Sequence, residues 1–458
     1  MKMHLCTPLR RIRSFAPALV FTLATSLSAS TLYVAKDGVD DSICGTTREN
    51  ACFTIQYAIT NRSLAGDLIL IGRGIYSERI SVDRNLTIRG AGRDRTIIDG
   101  MKAGTVVSIP GGVTASLESL TIRNGFLSTS VAATVVGGIN NGGTLSLVET
   151  RVTGNSSTAT GTGFYIPMAG GIYNSGSLSI LRSSVDSNNA TGGCSTAGGM
   201  LNDGGIVTID DSRIAANVVT SGSECIGPGS IPDPAGYFNL YGSAEVRTTT
   251  FWKNGISMTG SLTLDRSTIS YSDSYGIYDA GTLTVVNSTI FGSGLSGIAV
   301  AEGELDGFLE MSNSTVSGNI GGGISLGVLF NSTIRNSILA ANPGGDCLGE
   351  FVSGDYNLIQ NLSDCTYIAG GHDLTGISAD LRNLGDYGGP TETLDLKPDS
   401  PPSTAAIRQA AWTAPVTRSP SISADSLDHL RQAAAAISAR SKYNNTGRTV
   451  FKSVNTSN

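Results

Sequence analysis

The chain has 458 residues, among them 58 Gly, 14 Pro, 31 Lys plus Arg and 37 Asp plus Glu, for a formal charge of −6. That length does not limit the size of a core, and the glycine content without a three-residue period speaks for many turns and excludes collagen. The negative balance, with no basic stripe to oppose it, excludes a nucleic-acid partner.

Residues 1–30 read as a signal peptide: Lys2, Arg10, Arg11 and Arg13 precede the apolar run "FAPALVFTLATSLSA", and small residues stand before Thr31. No later run approaches a membrane span, so the expected mature chain is secreted or held at the cell surface without a transmembrane helix. Its balance becomes 27 basic against 37 acidic residues. Six cysteines remain once Cys6 leaves, in local couples: Cys44 with Cys52, Cys194 with Cys225, and Cys347 with Cys365. Such couples suit loop clips in an oxidising compartment, although six cysteines allow fifteen pairings.

Residues 31–110 read as an N-terminal cap. An apolar helical patch ends near Ser63, followed by the strand "DLILI", and a short helix there would cover the edge of whatever follows. The cluster "RGAGRDR" at 89 to 95 reads either as a solvated rim or as a local cationic patch.

Residues 111–345 form a repetitive body. "SLVETRVTGN" at 146 to 155 returns as "SILRSSVDSN" and "TIDDSRIAAN", and a hydroxyl precedes an Asn by five residues in seven copies. These are Ser119/Asn124, Thr150/Asn155, Ser183/Asn188, Ser212/Asn217, Thr249/Asn254, Ser314/Asn319 and Ser337/Asn342. Two further copies keep Ser267 and Ser288 but carry Ser272 and Ser293 in place of Asn. Apolar positions such as Leu145, Leu147 and Val152 alternate on each side of the hydroxyl but break register across it, which predicts two short strands joined by a bend. Successive copies lie 18 to 37 residues apart, the shorter spacings matching one bare turn of a parallel β-solenoid and the longer ones requiring inserted loops. Asn at a recurring bend accepts a left-handed backbone, and stacked amides continue hydrogen bonds from coil to coil. Gly pairs in "GGIN", "GGIY", "GGML" and "GGIS" mark tight approaches before a strand. A phosphate cradle is the competing reading, but the strand-loop-helix setting and a following Lys-Ser/Thr are missing.

Three insertions, at 155 to 169, 188 to 197 and 218 to 242, are expected to emerge on one side of the stack. Residues 346–401 read as a closing segment, and 402–458, rich in Ala, Ser, Thr and Pro, as a flexible tail.

The run from "TLYVAKDG" through "GDLILIGRGIYSERISVDRNLTIRGAG" to "TIIDG", with the repeated "GGI" and "S-x-V/I-x-x-N" sections, resembles exported proteins of the pectin-lyase-like superfamily. That resemblance implies an all-β fold, a single-stranded right-handed parallel β-helix, and supplies the handedness. "LRNLGDYGGPTETLDLKPDSP" at 381 to 401 resembles the closing section of bacterial choice-of-anchor Q surface proteins.

Two functions compete. The first is non-catalytic binding of an extracellular polysaccharide or cell-surface ligand by a monomer, with Tyr165, Tyr237, Phe238 and Tyr241 in or beside the large loops as candidates. Their aromatic faces would meet sugar rings or simply pack the loops; Phe251 is expected in the core, and Trp252 beside it carries both readings. The second is polysaccharide lyase action on a uronate glycan by β-elimination. Asp210 and Asp211 with Glu149 are the metal candidates there, and Asp210, Asp211, Arg182, Arg213 and Arg266 the catalytic ones. No cofactor is expected for binding, whereas a lyase would call for calcium, which needs six to eight converging oxygens. The bland alternative places Glu149, Arg182, Asp211, Arg266, Asn287 and Asn313 at one repeat position as a solvent-facing row. His372 reads as a loop residue. The expected function is a β-helix scaffold that binds without cleaving.

Overall fold

The computed structural model describes residues 29–401 except 132, 161–166, 193–194, 221–235, 301–307 and 328–330. The expected signal peptide as far as residue 28, Tyr165, the expected Cys194 and Cys225 couple and the expected tail from 402 lie outside the described residues.

Each coil of the body contains three short strands, and each strand pairs in parallel with its equivalent one coil away. The first ladder stacks segments such as Ile139–Asn141, Ile172–Asn174 and Met200–Asp203. The second stacks Thr144–Val148, Ser177–Leu181 and Ile206–Asp210. The third stacks Arg151–Thr153, Ser184–Asp186, Arg213–Ala215 and Thr250–Trp252. Val152 stands opposite Val185, and Val185 opposite Ile214, each with no exposed surface. Ile139, Ile172 and Met200 line the first wall of the same interior, and Leu147, Ile180 and Ile209 the second. Burial of one such side chain contributes about 1.5–3 kcal/mol, so the stack itself supplies the driving force.

The bend between the second and third ladders explains the hydroxyl repeat. One residue per coil is left-handed there, with φ of 51° at Glu149, 45° at Arg182, 46° at Asp211, 45° at Thr248, 46° at Arg266 and 51° at Asn287. A left-handed residue turns the next N–H out of the regular ladder, and the hydroxyl of the following coil accepts it while donating to the carbonyl before its own bend. Ser183 Oγ accepts the Thr150 N–H at 3.0 Å and donates to the Leu181 carbonyl at 2.8 Å. The arrangement recurs between Ser267 and Thr249, Ser288 and Ser267, and Ser314 and Ser288, each at 3.1 Å.

The Asn ladder forms as expected in most coils, with one change of register. Asn155, Asn188, Asn217 and Asn254 are buried and joined amide to amide at 3.0, 3.0 and 2.8 Å. Asn124 is not a member: Thr121 pairs with Arg151, so Asn124 aligns with Gly154 and Gly125 with Asn155. Asn124 instead donates to Asp99 at 2.8 Å. The Ser119/Asn124 copy therefore sits one residue out of phase, and Ser119 itself takes the left-handed place at φ 52°. A second, unexpected ladder joins Asn141, Asn174, Asn202 and Asn239 at 2.6, 2.6 and 2.8 Å.

Three of the Gly pairs mark close approach rather than unusual dihedrals, whereas Gly322 of the fourth has φ of 130°. A Cβ on Gly138 would lie 2.3 Å from the Gly171 carbonyl oxygen, and one on Gly171 2.4 Å from that of Gly199.

Described parts of the insertions join neighbouring segments in two further parallel sheets. Phe126–Thr129, Ser156–Ala159, Asn189–Thr191 and Val218–Thr220 form a fourth ladder. Val135–Val136, Pro167–Ala169 and Ser195–Ala197 form a fifth. At the N-terminal end a helical turn, Ile55–Tyr57, widens over Ala58–Arg62, and the fully buried Ile55, Ala58 and Ile59 join the core of the first coil. Disulfides join Cys44 to Cys52 and Cys347 to Cys365, two of the three expected couples.

At the other end the parallel ladders continue through Cys347–Ser353 and Asp364–Ile368. The chain then turns back as an antiparallel pair, Leu381–Gly385 with Thr393–Leu396, which lies on the outside of the third ladder. Ile338, Ala340, Leu358 and Ala379 form a small apolar cluster beneath it, with Leu381 and Leu396 packed against them.

Candidate groove on the third ladder

The outward position that opens each third-ladder strand changes character along the stack. Thr121 is buried; Arg213 is exposed and Arg151, Ser184 and Thr250 are half-buried; Thr268, Thr289, Thr315 and Ile338 are buried again. The open stretch is a groove of about 750 Å³. Arg93 and Asp94 stand at one end, Pro390 at the other, and Arg151, Arg182, Arg213, Asp186, Asp211 and Trp252 are among its lining residues.

These side chains are not equally free. Arg151 is committed to Asp186 by two hydrogen bonds, at 2.9 and 2.7 Å, and Thr153 donates to the same carboxylate at 2.8 Å. Burial pushes the Asp186 carboxyl up, but the bonds from Arg151 and Thr153 outweigh it and hold the group below its ordinary value. Arg182 pairs with Glu149 at 3.3 Å, both side chains about half exposed at 48% and 53%. An exposed pair of that kind is worth about 0–1 kcal/mol, so Arg182 is readily drawn to a competing anion. The Arg213 guanidinium lies 5.3 Å from the centre of the Trp252 ring and the Lys253 ammonium 4.7 Å from it, so two cations stand beside the indole.

Of the catalytic and metal candidates, Arg182, Asp211 and Arg213 meet in this groove. The others do not. Asp210 accepts a hydrogen bond from the Thr248 hydroxyl. Arg266 pairs with its neighbour Asp265 at 2.9 Å, beside the covered part of the ladder. Glu149 and Asp211 occupy the same bend position with the Arg182 coil between them, so their backbones stand about 10 Å apart. The trio Glu149, Asp210 and Asp211 accordingly makes no converging oxygen cage. Among the described residues the one cluster of three metal-type ligands is Asp40 with Cys44 and Cys52, whose sulfurs form a disulfide.

The aromatic candidates also separate. Tyr237 and Phe238 are strand residues, not loop residues, with 0% and 2% of their surface exposed. Tyr237 points into the coil interior, and Phe238 packs outside it with Val136, Tyr173 and Leu201. Neither presents a face to a ligand, because the insertion reaches its first-ladder strand earlier than its Gly and Pro content suggested. Tyr241 is exposed at 71% but lies at a different bend of the coil, where its φ is 54°. Arg151 and Asp186 were not singled out by their sequence; Arg93 lies in the 89 to 95 cluster read as a rim or cationic patch, and Pro390 in the closing motif, neither tied to this groove. Arg151 and Arg213 share one repeat position, immediately after the hydroxyl, and that alignment was the available signal.

The family of right-handed β-helix regions matches residues 233–372. No curated protein sequence matches the chain. Among solved structures, pectate lyase Pel9A is similar at 15% identity over 78% of this chain and 84% of its own, with a TM-score of 0.33. Pectin methylesterase PemA from Erwinia chrysanthemi is similar at 14% identity over 58% and 80%, with a TM-score of 0.31. The tailspike gp49 from Acinetobacter baumannii bacteriophage Fri1, a capsular polysaccharide depolymerase, is similar at 10% identity over 76% and 62%, with a TM-score of 0.40. With its three stacked parallel ladders and the match to the right-handed β-helix model over residues 233–372, the chain has the fold of a right-handed parallel β-helix. Among the described residues no helix is long and apolar enough to cross a membrane.

Proposed function

We propose that this protein is an exported or surface-held β-helix scaffold that binds an extracellular, acidic polysaccharide in the third-ladder groove without cleaving it. The observation that carries the reading is the open window over four strands, where Arg182 and Arg213 stand beside Trp252. Guanidinium groups match carboxylates in a two-pronged geometry, and an indole offers an apolar face to a sugar ring. The polysaccharide-active proteins named above agree with this class of ligand, and a rigid parallel stack suits a site that changes little on binding. Cleavage by β-elimination asks for a base and for cationic stabilisation of the developing enolate. In the groove Asp186 is already paired with Arg151, which leaves Asp94 at the end and Asp211 as the carboxylates there; outside it Glu149 and Asp210 have partners of their own. The ligand is therefore bound by charge and stacking, and a monomer suffices.

The test incubates the purified mature chain with polygalacturonate and calcium while ultraviolet absorbance follows unsaturated product and calorimetry follows binding. Saturable binding without product, weakened by Arg213→Ala, is expected. Product formation that is lost with Asp210→Asn and Asp211→Asn overturns the binding-only reading.

A further inference from the structure

We propose that the turn of the closing segment around Pro390 is a stop that sets the length of ligand the groove holds; this rests on the glycan reading above. The outer face of the third ladder would otherwise run unbroken along the stack. It is interrupted where the closing segment crosses it: the Thr268 hydroxyl donates to the Glu392 carbonyl, Thr289 and Thr393 share a hydroxyl contact at 2.8 Å, and the Thr391 hydroxyl donates to the Arg266 carbonyl at 3.3 Å. Beyond that crossing the outward residues Thr268, Thr289 and Thr315 are at most 6% exposed. At the opposite end the 91–95 turn lies over its neighbouring strand, where the Thr121 hydroxyl donates to the Arg93 carbonyl at 2.5 Å and Thr121 is 6% exposed.

Between the two walls lie the strands opened by Arg151, Ser184, Arg213 and Thr250. Neighbouring strands are about 4.8 Å apart, so the slot is about 15–20 Å long. A glycan lying along the stack meets Pro390 and goes no further. The wall is a hydrogen-bonded part of the fold packed on its own apolar cluster, so it acts as a fixed boundary. The segment that closes the β-helix thereby also determines specificity.

Calorimetry with galacturonate oligomers from dimer to dodecamer tests the stop on the full mature chain. Wild type should gain affinity with length only until the slot is filled. A variant lacking residues 387–390 removes the turn but keeps residues 391–393 on Thr268 and Thr289, so its plateau should move only to the next longer oligomers, which bind it about tenfold tighter than they bind wild type. Pro390→Trp, which enlarges the wall without shortening the chain, should bring the plateau to a shorter oligomer. Wild-type affinity that rises through the whole series, or a plateau that Pro390→Trp leaves in place, overturns the stop while leaving glycan binding intact. Absence of binding to every oligomer by every variant overturns both readings.

Discussion

Asn188 lies one coil beyond Asn155, and its side-chain oxygen accepts two bonds from that residue, the backbone N–H and the side-chain amide, each at 3.0 Å. The Asn188 amide in turn donates to the Val152 carbonyl at 3.0 Å and to Asn217 at 3.0 Å. One side chain thus satisfies backbone groups that the turn has removed from the sheet, in a place water does not reach.

Asn188→Ala should therefore cost about 2–4 kcal/mol, because several buried donors and acceptors lose their partners together. Chemical denaturation measures the loss. Asn124→Ala, at the out-of-register copy, should cost far less, since Asn124 makes its bond to Asp99 near the surface.

Asp279 occupies the register of the second Asn ladder, opposite Met258, which stands opposite Asn239. It is fully buried, one oxygen accepts the Gly281 N–H at 2.6 Å, and the other has no partner. Burial raises its carboxyl to about 7, against a partial lowering by the Gly281 bond. Since the folded value lies above the unfolded one, the native state is penalised progressively as pH rises from about 4 through 7. Asp279→Asn should remove that penalty, because Asn141 already makes the same turn with Gly143. Melting curves should show no advantage at pH 4 and a gain of about 2–4 kcal/mol at pH 8.

The pair Arg151 and Asp186 has the opposite sign. With its folded value held below the ordinary one, Asp186 contributes stability that is present above about pH 4 and lost as pH falls through the folded value. Arg151→Ala should cost about 1–2 kcal/mol at neutral pH, discounted because Arg151 is 43% exposed, and progressively less as acid titrates Asp186 below about pH 4. A cost that stays constant between these pH values would count against this account.

Arg266 holds a left-handed backbone at φ 46° on the exposed bend row, whereas Asn287 and Asn313 fill the same position in the next two coils. A long side chain pays roughly 1–2 kcal/mol there that Asn largely avoids, and the exposed pair with Asp265 returns little. Arg266→Asn should raise the unfolding free energy by about 0.5–1 kcal/mol and leave glycan binding unchanged, as read by denaturation and calorimetry on the same variant.

Much of the architecture was legible because a β-solenoid repeats one local problem. Each coil has to fill one slice of interior and satisfy one bend, so Leu147, Ile180 and Ile209 recur, as do Thr150, Ser183 and Ser212. The ends of the Asn ladder were harder to read. Asn319 and Asn342 lead to Asp346, whose carboxylate accepts from Asn342 at 2.7 Å and from the Asn361 N–H at 2.7 Å. An acid replaces the amide there because the last rung has only donors to satisfy. Tyr237 and Phe238 were misplaced because an aromatic pair beside a Gly-rich insertion looks like loop, while register with Met200 and Leu201 puts it on a strand.

By itself the sequence determined the coil: its hydroxyl, its amide, its alternating apolar residues and the tight glycines are all local requirements that each turn must meet within about twenty to thirty residues. Only the tertiary structure decided which outward face is open. That depends on where residues 381–396 return across a ladder more than a hundred residues earlier in the chain, and a contact of that range leaves no period in the sequence. The groove exists because this return stops at Pro390, leaving Arg182, Arg213 and Trp252 uncovered.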